Sequence, residues 1–118
     1  MFGSRSTGTP TKAQTERFEA IHAIGCVACR KHRGLIVACE IHHLTGGGRH
    51  GQKRRGHDFT IGLCAWHHRG IGAERDFEPR FGPSYARRPK LFRQVIGDDE
   101  TLLAYQNDLI AKLKREAA

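Results

Sequence analysis

Acidic side chains are scarce in this chain of 118 residues: 12 Asp and Glu stand against 20 Lys and Arg, for a formal net charge of +8. An isoelectric point near 9.9 favours a polyanionic partner, which means nucleic acid or a membrane surface. No run of about 18 apolar residues exists, so nothing spans a bilayer and the membrane is set aside. The opening Met1-Phe2-Gly3-Ser4-Arg5-Ser6 lacks the apolar stretch of a secretory signal, so the expectation is a cytoplasmic chain. Cysteine is limited to four residues, and in that compartment thiols stay reduced, which favours thiolate–metal bonds over disulfides. Hydrophobic residues make up only 38%, with one Trp and one Met, so the core is thin and a metal ion is the natural supplement. There is no internal repeat. These absences exclude secreted, membrane-spanning and disordered classes.

Glycine, by contrast, is abundant at 14 residues, which places much of the chain in turns. Residues 1–10 are small and polar and read as a flexible arm, with residues 11–118 forming one domain. The helical spacing of Phe18, Ile21 and Ile24, with Thr9 or Thr11 able to cap and Gly25 to stop, predicts a helix over 11–24. A knuckle at Cys26-Val27-Ala28-Cys29 and a basic turn over 30–34 follow. Residues 35–44 and 59–63 are short and apolar and read as strands, separated by a glycine-rich basic loop over 45–57. Residues 64–70 open a helix, and 71–84, with Pro79 and Pro83, read as turns. A short helix over 89–96 begins with Pro89. The last helix has Asp98, Asp99 and Glu100 at its start and Lys112, Lys114 and Arg115 at its end, with one stripe of Leu102, Leu103, Leu109, Ile110 and Leu113. The reading is an α+β fold with a core over 24–72 and flanking N- and C-terminal helices, the latter over 88–117.

The chemistry is concentrated between residues 26 and 68. Cys26-x-x-Cys29 is followed, 35 residues on, by Cys64-x-x-His67. Each pair brings two donors to one side of a turn, so together they can close a tetrahedral zinc site. Two alternatives stay open. His68 could join Cys64 in place of His67, since a helix brings both within reach. Cys39 could displace His67, although a buried, inert thiol is the simpler reading. At the end of the first strand, Glu40-Ile41-His42-His43 places adjacent histidines on opposite faces, which divides them into one metal ligand and one base.

Cys26-x-x-Cys29, Glu40-Ile41-His42-His43 and Leu63-Cys64-Ala65-Trp66-His67-His68, in that order, resemble the HNH nucleases with their ββα-metal fold. More narrowly, His42-His43-Leu44-Thr45-Gly46-Gly47, His57-Asp58-Phe59-Thr60-Ile61-Gly62-Leu63-Cys64, Trp66-His67-His68-Arg69-Gly70 and Phe77-Glu78-Pro79-Arg80-Phe81-Gly82 are similar to the phage-encoded Ref type, the RecA-dependent recombination-enhancement nucleases. The resemblance implies a small zinc-stabilised core and a metal-dependent endonuclease that hydrolyses DNA phosphodiester bonds. It implies His43 as general base, His42 and His68 as ligands of one divalent cation (Mg²⁺ or Mn²⁺), and Glu40 or a backbone carbonyl as the group that orients a histidine. Asp58 or its rival His57 falls at the middle position of the HNH pattern. DNA and a RecA filament are the implied partners.

Between Glu40 and Asp58 there is no acidic residue, while Arg49, Lys53, Arg54 and Arg55 all lie there. A glycine-rich backbone lets phosphates approach, and the four cations release counterions on binding, so these residues are the nucleic-acid-binding candidates. Arg80, Arg87, Arg88, Lys90 and Arg93 either extend that track or decorate a helix. The rival to a nuclease is a non-catalytic zinc-binding nucleic-acid module.

Overall fold

In the computed structural model, which describes residues 8–45, 56–72 and 77–117, the first helix starts on a reciprocal cap. Thr11 Oγ1 accepts from the Gln14 N–H (3.1 Å), and Gln14 Oε1 accepts from the Thr11 N–H (2.9 Å), which satisfies two otherwise orphaned donors. Helix α1 runs Lys12–Ile24 and stops at Gly25, whose φ is 87°. A Cβ on Gly25 would lie 2.6 Å from the Val37 carbonyl oxygen, so the close approach of these two segments requires glycine.

Helix α2, Val27–Arg33, occupies the place read as a knuckle and a basic turn. Cys26 caps it, with Sγ accepting from the Cys29 N–H (3.4 Å), and Gly34 ends it in the left-handed region at φ 69°. The basic run at its C-terminal end complements the helix dipole. The expected strand over 35–44 shortens to β1, Glu40–His43, because its antiparallel partner β2, Thr60–Leu63, is equally short. Leu35 and Ile36 are left 43% and 72% exposed. The register pairs Glu40 with Leu63 and His43 with Thr60.

Helices α3 (Ala65–Arg69), α4 (Phe77–Phe81), α5 (Pro89–Val95) and α6 (Asp99–Ala117) complete the order. Helix α4 stands where turns were expected. Its Pro79 falls in the first turn, where a helix has no partner for the missing N–H. The fully buried Gln106 of α6 braces β2: its Oε1 accepts from the Gly62 N–H (2.8 Å) and its Nε2 donates to the Thr60 carbonyl (2.7 Å). One core cluster holds Cys26, Cys29 and Cys64 among Leu44, Leu63, Trp66, Phe92 and Leu102, and a second joins α1 to α6 through Ile21, Ile24 and Ile110. Trp66 is buried in the first cluster, with Nε1 donating to the Gly82 carbonyl (2.9 Å). Among the described residues, no helix is long and apolar enough to cross a membrane.

Candidate metal centre and histidine cluster

Cys26 at the start of α2, Cys29 inside it, Cys64 before α3 and His67 within α3 all point into one buried spot. Their ligand atoms lie within 4.8 Å of one another. His67 Nδ1 is 3.5 Å from Cys26 Sγ, 3.5 Å from Cys29 Sγ and 3.3 Å from Cys64 Sγ, and the Cys29 and Cys64 sulfurs are 3.9 Å apart. A tetrahedral zinc ion with ordinary bond lengths spaces its sulfurs by roughly 3.8 Å and a sulfur from a nitrogen by roughly 3.6 Å, so the four side chains could hold one. His67 Nε2 donates to the Phe81 carbonyl (2.8 Å), which turns Nδ1 toward the sulfurs. The unexpected helix α4, which ends at Phe81, thereby orients the imidazole.

The charge balance of this spot suits a cation. Hydrogen bonds with Cys26 and Cys64, and then burial, push the Cys29 thiol up, while hydrogen bonds from Cys26 and Cys29 pull Cys64 down. Burial lowers His67, but the hydrogen bonds and charge of Cys26 and Cys64 outweigh it and raise the imidazole to about 10. Protons are shared among packed thiols, and a dication can replace them. Cys39 lies outside the group: its Sγ donates to the Ile21 carbonyl (3.5 Å), and burial first, then the nearby thiols, push it up to about 11. Of the two histidines left open for that set, His67 is the one that stands beside the three sulfurs.

The strand alternation expected of His42 and His43 is what β1 shows. On one face, His42 packs against His68 with ring centroids 4.9 Å apart and against Tyr85 at 5.1 Å. His68 Nδ1 donates to Glu40 Oε1 (2.8 Å), and Arg69 donates to both oxygens of the same carboxylate. Arg69 first, then His68, holds the Glu40 carboxyl below its usual range, so the carboxylate is the acceptor and the His68 proton sits on Nδ1. On the other face, His43 Nε2 lies 3.0 Å from His57 Nδ1, and His57 Nε2 lies 2.7 Å from the Gly8 carbonyl. Phe18 meets both rings edge-on. Asp58 instead accepts from Gln14 Nε2 (3.2 Å). Tyr85 and Gly8 escaped the sequence reading: Tyr85 follows a stretch read as turns, and nothing in the sequence marks a carbonyl.

The loop cations Arg49, Lys53, Arg54 and Arg55, and residues 1–7 of the arm, lie outside the described residues. Downstream, Arg93 covers the Tyr85 ring and Arg87 the Trp66 ring, each at 5.3 Å, while Arg88 pairs with Glu78 (2.7 Å).

A two-stranded sheet followed by a short helix, with a Cys₃His set at its centre, defines a small zinc-stabilised ββα domain with flanking helices. The family described as recombination enhancement, RecA-dependent nuclease matches residues 10–111, and the chain belongs to that family. No curated protein matches the chain.

Proposed function

We propose that this protein is a metal-dependent DNA endonuclease of the HNH type, phage or prophage encoded, acting on DNA together with a RecA filament in recombination. The observation that carries the reading is the Glu40–His68 bond beside His42. A carboxylate that fixes one imidazole nitrogen leaves the other as the coordinating atom. In this reading His42 and His68 would hold one divalent cation. Two imidazoles suit Mn²⁺ better than Mg²⁺. When bound, the cation polarises the phosphate and stabilises charge on the departing 3′ oxygen. His43 takes the proton of the attacking water, and His57, which touches it, fills the middle position in preference to Asp58. Cys26, Cys29, Cys64 and His67 hold the structural Zn²⁺. Arg49, Lys53, Arg54 and Arg55 neutralise backbone phosphates.

The test is nicking of supercoiled plasmid with Mn²⁺ or Mg²⁺, with and without a RecA filament. Wild type is expected to nick, and His43→Ala to lose about 100-fold or more while keeping its zinc. A clean, zinc-loaded wild type that binds DNA and nicks under none of these conditions is instead a non-catalytic zinc module.

A further inference from the structure

His43, His57 and Gly8 form a chain of hydrogen bonds whose direction is fixed at one end. A carbonyl oxygen only accepts, so the Gly8 oxygen, 2.7 Å away, places the His57 proton on Nε2. Neutral His57 then presents a lone pair at Nδ1, 3.0 Å from His43 Nε2, and that nitrogen must carry the His43 proton. The basic lone pair of His43 is therefore on Nδ1. The surroundings hold His57 in this role. It is only 8% exposed, its carbonyl accepts from Thr60 Oγ1 (2.9 Å), and Phe18 closes one side with its ring 5.4 Å away.

We infer that the Gly8 carbonyl, acting through His57, sets the tautomer of His43, so the segment entering α1 is a positioning element of the nuclease site. The inference rests on the reading of His43 as the base. Gly8 itself supplies a clean probe. Its φ is +76°, and among the described residues beyond its chain neighbours no atom lies within 4 Å of where a Cβ would sit. A β-branched residue there is penalised by the backbone conformation, and its Cβ meets none of the described residues.

The experiment reads the tautomer of His43 directly, from ring ¹⁵N shifts in long-range ¹H–¹⁵N spectra of the full zinc-loaded chain, at a pH where the imidazoles are neutral. Wild type is expected to show His43 protonated on Nε2, and Gly8→Val and His57→Leu to shift it toward a mixture. His57→Gln is expected to keep it, because the amide oxygen accepts while the amide nitrogen donates. In plasmid nicking, kcat should fall by about tenfold in Gly8→Val and His57→Leu with KM nearly unchanged, and His57→Gln should recover most of it, since a misplaced proton on a base disables it without weakening binding. His43 protonated on Nδ1 in wild type, or His43 shifts unmoved by Gly8→Val, would overturn the inference. A wild type that never nicks, yet whose His43 tautomer follows Gly8→Val, refutes the nuclease reading and leaves the tautomer relay standing.

Discussion

His68 donates its Nδ1 proton to Glu40 Oε1 at 2.8 Å, tying the helix after the sheet to the first residue of β1. The residue before it, His67, turns the other way, with Nδ1 among three sulfurs and Nε2 on the Phe81 carbonyl. Consecutive imidazoles on one five-residue helix thus face two different candidate centres.

Replacing either histidine should separate those centres. His67→Ala and Cys26→Ser are expected to lose bound zinc and cooperative melting, because structural zinc contributes folding energy directly. His68→Ala and Cys39→Ser should keep one zinc per chain and a sharp transition. Metal analysis beside thermal unfolding decides the matter, and a zinc-free His68→Ala would move the ligand assignment to His68.

Glu40→Gln should act on turnover far more than on stability. The pair with Arg69 is solvent-exposed and screened, so it adds little to stability, whereas loosening a ligand's supporting carboxylate costs about 10–100-fold in activity. The pH dependence has a definite sign. Arg69 first, then His68, hold the carboxyl below its ordinary value in the folded chain, so its contribution is complete above the range where an unfolded carboxyl titrates and disappears as pH falls through the lower folded value. Melting curves of wild type and Glu40→Gln should therefore differ slightly at neutral pH and converge in acid.

The metal preference follows from donor chemistry. Nicking should saturate at lower Mn²⁺ than Mg²⁺, since imidazole nitrogen favours the later ion. A titration in which Mg²⁺ works at the lower concentration would argue that oxygen donors, not His42 and His68, dominate the site.

The glycine-rich loop is tested by salt. Substituting Arg54 and Arg55 with Ala should lower the slope of log affinity against log salt by about 2, with zinc content unchanged. An unaltered slope would remove both side chains from the phosphate contacts.

The cysteine pairs are legible in the sequence because a metal imposes its spacing locally: Cys26-x-x-Cys29 and Cys64-x-x-His67 need only one turn each. The alternation of His42 and His43 is legible for the same reason, a two-residue period. Helix α2 is hidden, because Arg30-Lys31-His32-Arg33 carries no apolar stripe. It is defined at its ends, by the Cys26 cap and left-handed Gly34. The strand over 35–44 reads too long because apolar composition cannot tell where a partner ends. That His57, and not Asp58, touches His43 follows from contacts to residues 14 and 49 positions away, which no local pattern encodes.

Gln106 has a consequence for how this molecule meets others. A small sheet ordinarily presents a rim of unpaired amides on which another chain can grow, the starting point for swapped dimers and fibres. Here a carboxamide from the last helix occupies that rim at Thr60 and Gly62, as a stub of strand one side chain long. Assembly by strand addition is blocked along that stretch, and self-association there would first have to pull a buried glutamine out of the interior.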